Sequence, residues 1–269
     1  MAYIIPRPRA PSLIGGLRKQ KRVIAALLLR ELHTRYGREN VGYLWLIGEP
    51  LILAGIMALL HHSGPTEYGS DIKPLPFTVL GYTIFIMFRG IVNRSSGALE
   101  ANAPLLYHRM VTVFDITTAR ALLEAAGTFL AFSVLMTLVV GLGLAEPPAR
   151  PLCLAGALAL MFWYSWAHSL IITAASYNNR TVERLVHPYS YFMIPLSASF
   201  YQVEWIPGPY RHWLLWIPLP HIFELARYGQ FESATLRYFD PLYIVGSCAV
   251  LTWAGLLTLR VYRSKIHLN

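Results

Sequence analysis

The chain has 269 residues, of which 55% are hydrophobic and 14% are charged, and its mean hydropathy is +0.44. Because soluble domains carry about a quarter charged residues, this composition excludes an ordinary soluble domain and indicates a membrane protein. The formal net charge of +9 could suit nucleic acid. The basic residues lie at the ends of apolar stretches, however, so we interpret them as topology determinants and lipid headgroup contacts and expect no nucleic-acid partner.

The first predicted element is an amphipathic helix at residues 17–36. Val23, Leu27 and Leu32 recur at helical spacing and are surrounded by basic residues. This pattern predicts a helix in the cytoplasmic interface, with its apolar side among the acyl chains. The apolar run Val23–Leu29 is too short for a cleavable signal peptide and is followed by charges.

Six later stretches are long enough to cross a bilayer, which requires roughly 20 mainly apolar residues. They are residues 41–60, 75–93, 114–144, 151–177, 185–203 and 240–262. Of the 23 lysines and arginines, 18 lie on one set of alternate loops and 5 on the other. Since cytoplasmic loops retain Lys and Arg, both termini are predicted to be cytoplasmic. We therefore expect an all-α polytopic membrane protein, a single domain over 1–269 with six transmembrane helices.

The first span contains an acidic residue, Glu49, about two turns from its start. A carboxylate at that depth is costly unless it is paired or faces water. Pro50 follows it and relaxes the backbone hydrogen bonding locally. We expect Glu49 to be buried in protein and paired with an arginine or a neighbouring helix end. Direct contact with a substrate is the alternative.

One connector, residues 94–110, is cytoplasmic by topology, mixed in polarity and longer than a simple link requires. We expect it to fold as a short helix at the membrane face.

A second connector, residues 204–231, is rich in tryptophan, proline, leucine and isoleucine. Its prolines interrupt helices, so that each apolar run is too short to cross the bilayer; they are Pro207, Pro209, Pro218 and Pro220. Non-helical backbone at membrane depth must be buried in protein or line a cavity. We therefore expect two short re-entrant helices entering from the periplasmic side. An aromatic-rich loop lying on the headgroups is the alternative.

Particular side chains support the re-entrant interpretation. Trp205, Trp213 and Trp216 suit the interfacial depth at which an indole keeps its N–H hydrated. Glu224 and Arg227 are three residues apart, so they lie on one face of a helix and can pair.

Catalytic and metal-binding motifs are missing from the sequence. It has no His-Glu-x-x-His, no Gly-x-Ser-x-Gly and no Gly-x-x-x-x-Gly-Lys-[Ser/Thr] phosphate-binding loop. We therefore expect no enzyme activity, no metal site and no ATP hydrolysis by the chain itself. Cys153 and Cys248 lie inside apolar stretches and are interpreted as packed thiols.

Two stretches resemble a known family. Residues 30–37 (Arg-Glu-Leu-His-Thr-Arg-Tyr-Gly), then 42–45 (Gly-Tyr-Leu-Trp) and Glu49-Pro50, resemble the opening signature of ABC-2 type exporter permeases. Pro218-Leu219-Pro220-His221, followed by Glu224 and Arg227, is most similar to the group 2 capsular polysaccharide export branch. O-antigen and teichoic acid exporters are related. Ile217 stands where that branch usually has asparagine, which puts any role of an asparagine there in doubt.

The resemblance implies a homodimer bound to two copies of a P-loop ATPase subunit, which would hold ATP and Mg while this chain binds no cofactor. It implies export of a lipid-linked acidic capsular polysaccharide from the cytoplasm to the periplasm across the bacterial inner membrane. A periplasmic co-polymerase or adaptor and an outer-membrane export partner would assist. Residues 94–110 would be the coupling helix that docks on the ATPase, through Glu100, Asn102, His108 and Arg109.

Other functions remain as alternatives. The polymer could be an O-antigen or a teichoic acid. A membrane-embedded lipid or sugar transferase would be expected to show intramembrane clusters of Asp, His and Glu, and a passive channel would not need a folded cytoplasmic segment.

A conduit for an acidic sugar chain requires aromatic platforms for the sugar ring faces and cations at its entrance. The candidates that we assign to the conduit or its entrance, together with Glu49, are Arg30, Arg35, Arg38, Tyr43, Trp45, Tyr82, Phe85, Arg89, Arg94, Trp163 and Trp166. Both the aromatic residues and the arginines of this set can also have a purely structural role. Aromatic side chains pack between helices or face lipid, and arginines anchor cytoplasmic loops.

Overall fold

The computed structural model describes residues 13–36, 44, 48–49, 51–53, 55–56, 72–107 and 111–266. No strand occurs within these ranges, in agreement with the predicted all-α class. Their α-helices include α1 (Leu13–Tyr36), α2 (Pro74–Ser95), α3 (Ala103–Tyr107), α4 (Val113–Gly141), α5 (Pro151–Ser176), α6 (Arg180–Leu196), α7 (Gly208–Leu214), α8 (Pro218–Gln230) and α9 (Pro241–Ile266). The described residues 48–49, 51–53 and 55–56 are helical as well.

Four described helices, α2, α4, α5 and α9, are long and apolar enough to cross a membrane. They correspond to the predicted stretches 75–93, 114–144, 151–177 and 240–262. The first predicted span, 41–60, lies largely outside the described residues.

The fifth predicted span, 185–203, differs from the observed helix. Helix α6 begins earlier, at Arg180, and ends at Leu196 after 17 residues. Pro195 lies in its last turn, and Ala198 has a left-handed backbone with φ +60°. Because proline removes a helical hydrogen bond and Ala198 reverses the backbone, the helix stops before residue 203.

Helix α2 is the centre of the bundle, with α4, α5, α6 and α8 packed around it. Phe77, Phe85 and Phe88 of α2 are among its fully buried side chains. Helix α9 packs mainly on α5 and presents an outer face of exposed apolar residues such as Trp253. In a membrane such a face meets lipid or another chain.

Contacts at the helix ends show which loops share a side. Thr173 donates to the Ser95 carbonyl at 3.3 Å, and the Asn178 amide donates to Glu100 at 3.3 Å. Segment 96–107 and loop 177–179 therefore lie together, and we call this the basic end. At the opposite end, the Arg150 guanidinium donates to the Phe231 carbonyl at 3.3 Å, which joins loop 142–150 to loop 231–240. The Arg211 guanidinium donates to the Tyr238 hydroxyl at 2.7 Å, which joins segment 197–217 to the same loop. The basic end holds loops that the sequence predicts to be cytoplasmic.

Part of the apolar face of helix α1, which we expect among acyl chains, packs on protein. Leu27 is buried against Ile116 and Ala119 of α4. Glu31, on the same face, forms an ion pair with Arg120 of α4 at 3.1 Å. A buried carboxylate requires such a partner, which lipid tails cannot supply. The helix also begins at Leu13 rather than at residue 17.

The predicted helix at 94–110 is not continuous. Arg94 still belongs to α2, and the chain then turns through Gly97, which has φ +65°. A short 3-10 turn, Glu100–Asn102, leads into α3. The left-handed glycine ends α2, which explains why one helix cannot cover the segment. His108 and Arg109 lie outside the described residues.

Candidate functional site

An ion-pair network at the basic end joins several helices. Arg94 of α2 pairs with Glu124 of α4 at 2.9 Å and with Glu49 at 3.4 Å. Arg120 of α4, besides pairing with Glu31 of α1, donates to the Arg94 carbonyl at 3.2 Å. These ion pairs thus connect α2 to α4, α4 to α1, and α2 to Glu49.

Glu49 is paired with an arginine, as we expected, but it is not buried as we expected. The carboxylate faces an arginine, as expected. Its side chain is 48% exposed in this chain, however, and that of Arg94 is 35% exposed, so Glu49 is not buried. Because Arg94 lies at the end of α2, both partners keep part of their surface open. Such a pair contributes little to stability.

The segment 96–107 is held by its neighbours. The Arg30 guanidinium of α1 donates to the Asn102 side-chain oxygen, and the Asn102 amide donates to the Ala98 carbonyl at 2.9 Å. Asn102 is only 2% exposed, so it anchors α1 instead of offering a surface. Glu100 is exposed, and it accepts the Asn178 amide. Arg30 is exposed and at the same time tethers α1 to this segment.

Arg89 is the predicted entrance residue that meets an exposed aromatic ring. Its guanidinium lies 4.0 Å from the centre of the Tyr191 ring on α6 and donates to the Tyr191 hydroxyl. Tyr191 and Phe192 are both exposed. A cation and an exposed aromatic ring therefore share one surface of α2 and α6. Arg35 lies near the end of α1, and Arg38, Tyr43 and Trp45 are outside the described residues.

The other predicted conduit aromatics lie between helices. Phe85 and Tyr82 are buried in α2, with the Tyr82 ring 5.8 Å from that of Phe200. The Trp163 indole donates to Thr252 of α9 at 3.0 Å. The Trp166 indole donates to Thr118 of α4 at 3.1 Å. Trp163 and Trp166 thus join neighbouring helices, whereas Tyr82 and Phe85 are packed in the interior of this chain.

At the opposite end, Glu224 and Arg227 form the predicted pair at 2.9 Å, and both residues are buried. Arg227 also donates to the carbonyl of Ala198 and lies 4.7 Å above the Phe77 ring. The Val203 amide donates to Glu224 at 3.5 Å. This pair therefore connects α8 to α2 and to the turn after α6.

The tryptophans of this end differ in their surroundings. The Trp205 ring stacks on Phe77 at 6.0 Å, whereas Trp213 and Trp216 are 71% and 68% exposed. Helices α7 and α8 have 7 and 13 residues, so the two predicted short helices are present.

Residues 22–231 match the ABC-2 type transporter family. The chain belongs to this family. It is 36% identical over 237 residues to the capsule polysaccharide export inner-membrane protein CtrC of Neisseria meningitidis serogroup B, covering 88% of this chain and 89% of the relative. It is 33% identical over 248 residues to the capsule polysaccharide export inner-membrane protein BexB of Haemophilus influenzae, covering 92% and 94%. It is 34% identical over 257 residues to the polysialic acid transport protein KpsM of Escherichia coli, covering 93% and 96%.

Several residues of this ABC-2 transporter chain were missed from sequence. Arg120 and Glu124 lie inside the apolar α4, four residues apart, and both belong to the ion-pair network. Because charges within a span are costly unless they are paired, two charges at this spacing indicate ion pairs with other helices. Tyr191 gave no comparable signal, because only the fold places it beside Arg89.

Proposed function

We propose that this chain is the membrane subunit of an ATP-driven exporter that moves a lipid-linked acidic capsular polysaccharide across the bacterial inner membrane into the periplasm. The observation that carries the proposal is the near full-length similarity to capsule export proteins, covering 88% of this chain and 89% of the meningococcal relative. The E. coli relative, named for polysialic acid transport, supports an acidic polymer.

Energy for export would come from a partner, since the sequence has no phosphate-binding loop. We place two copies of this chain with two P-loop ATPase subunits that bind ATP and Mg. Segment 96–107 presents the exposed Glu100, and we take this segment as the docking surface for the ATPase. Arg30 ties the segment to α1, and the Glu31–Arg120 pair ties α1 to α4. A displacement of the segment by the ATPase would therefore move α1 and α4 together.

We further propose six membrane spans, with residues 41–60 and α6 added to the four apolar helices. The 17 residues of α6 extend roughly 25 Å, close to the thickness of the hydrocarbon core. Its charged first turn lies at the basic end, which we place in the cytoplasm with both termini. Helices α7 and α8 would enter the bilayer from the periplasmic side and return, because each is too short to cross it.

The Arg89–Tyr191 surface is our candidate wall of the conduit. The exposed Tyr191 ring can meet a sugar ring face, and the guanidinium can meet the negative groups of an acidic polymer. A polymer leaving this wall would pass to a periplasmic adaptor and an outer-membrane partner.

A direct test is to purify the tagged chain from native membranes with its bound partners. We expect a P-loop ATPase in equal amount, with MgATP hydrolysis by the complex. Glu100→Ala combined with Arg109→Ala should uncouple hydrolysis from export, whereas Glu204→Ala, an exposed acidic residue at the opposite end, should not. An active exporter that lacks an ATPase partner would contradict the proposal.

A further inference from the structure

A cavity of about 480 Å³ lies at the opposite end, between α7, the start of α9 and loop 231–240. Its volume falls within the range of roughly 300–1,000 Å³ found for small-molecule sites. A second cavity of about 200 Å³ lies beside it, and both are lined by Tyr238. We propose that the larger cavity binds an acidic saccharide unit of the polymer as it leaves the membrane, an inference that rests on the proposed export function.

Aromatic rings give the cavity surfaces suited to sugars. Trp216, Tyr238 and Tyr243 line it, and Trp216 is 68% exposed. A pyranose ring presents a face of C–H groups that packs on an aromatic face while its hydroxyls point to the sides. The Trp216 indole N–H makes no hydrogen bond with the part of the chain that the structure describes, so it is available to a sugar hydroxyl.

Two charged residues of the lining remain available to a ligand. Arg237 is 72% exposed in its side chain and lies 4.0 Å from Glu204, a distance and exposure that make a weak pair. It can therefore turn to a sugar carboxylate or phosphate. Asp240 accepts the Leu242 and Tyr243 amides through Oδ1, both at 3.0 Å. Its Oδ2 accepts no hydrogen bond among the described residues and can accept from a sugar hydroxyl.

Other residues hold the walls in place. His221 accepts the Asp240 amide through Nδ1 at 3.1 Å, so its Nε2–H donates to the Leu215 carbonyl at 3.0 Å. Both nitrogens of His221 are thus used within the protein. Arg211 donates to the Tyr238 hydroxyl at 2.7 Å and to the Ile206 carbonyl at 2.8 Å. A wall fixed in advance lowers the entropy cost of ligand binding.

The experiment uses the intact exporter in its own cells, fed radioactive glucose to label polysaccharide or radioactive acetate to label lipid acyl chains. A photoreactive p-benzoylphenylalanine is placed at Phe239, which lines the cavity, or at Tyr210, which is 69% exposed outside it. We expect radioactive polysaccharide to be crosslinked at position 239 and not at position 210.

Two tryptophan variants provide a matched comparison. Trp216→Leu should lower the crosslinked polysaccharide at position 239 roughly fivefold, the effect of losing one aromatic contact. Trp213→Leu removes a similarly exposed ring, 71% against 68%, that does not line the cavity but lies 6.5 Å from the Trp216 ring, and should lower the yield much less than Trp216→Leu does. Arg237→Gln should lower it as well.

The same two variants, made without the photoreactive residue, give a second readout in the rate of polysaccharide export. The inference is overturned if export proceeds and position 239 captures only lipid or nothing. Equal effects of the two tryptophan variants would also overturn it. If removing the whole chain leaves surface polysaccharide unchanged, the proposed function fails, which is a separate result.

Discussion

The buried Glu224–Arg227 pair permits a quantitative prediction about what holds α8 in place. In the folded chain Arg227 has three partners: the Glu224 carboxylate at 2.9 Å, the Ala198 carbonyl, and the Phe77 ring at 4.7 Å. Replacement by Met keeps much of the apolar stem but leaves a buried carboxylate without its cation. Breaking a buried pair in this way costs about 3–5 kcal/mol.

A double-mutant cycle isolates the electrostatic part. We expect Arg227→Met to lower the free energy of unfolding by about 4 kcal/mol. Adding Glu224→Gln removes the unpaired charge, so the double variant should be more stable than the sum of the single changes implies, by about 2 kcal/mol. Exchanging the two residues should not restore stability, because an arginine at 224 is not placed to reach Ala198 and Phe77 together.

The assay is equilibrium unfolding of the purified chain in detergent with increasing SDS, followed by circular dichroism. The exposed Glu204–Arg237 pair, 4.0 Å apart, is the matched control, and its coupling energy should be about 0.5 kcal/mol or less. If the buried and the exposed pair show the same small coupling energy, our account of how α8 is anchored is wrong.

Two further predictions concern close packing and the ion-pair network. A Cβ at Gly81 would lie 1.9 Å from the Ser199 carbonyl oxygen, so Gly81→Ala should abolish folded protein in size-exclusion chromatography; Gly246→Ala, with no atom within 4 Å, should not. Wild-type yield of Gly81→Ala would refute this contact. Glu124 and Glu49 share one arginine, but their side chains are 10% and 48% exposed. Glu124→Gln should therefore destabilise by roughly 2 kcal/mol and Glu49→Gln by about 0.5 kcal/mol or less in the SDS assay, and the reverse order would contradict the network.

Hydropathy predicted the four long helices because a span must be apolar over its whole length. The pairing of Glu224 with Arg227 was also predictable, since it depends only on helical spacing. The end of α6 before residue 203 was harder to predict from the sequence, because it depends on the left-handed backbone of Ala198 as well as on Pro195.

Contacts between distant segments account for what the sequence did not predict. The periodicity of α1 indicates an apolar face, but not whether lipid or α4 covers it. Glu31 on that face was the clue to a protein partner. In the same way, the indoles of Trp163 and Trp166 find hydroxyl partners on neighbouring helices, which a single stretch of sequence cannot reveal.

If this chain is the export subunit, synthesis of the polysaccharide should continue without it. The most direct measurement is to delete the chain in its own bacterium and to quantify polysaccharide on the cell surface and inside the cell. Our account predicts that the polymer is still made, disappears from the surface and accumulates in the cytoplasm, and that the wild-type chain restores export. Surface polysaccharide at the parental level, or a cell that no longer makes the polymer at all, would contradict it.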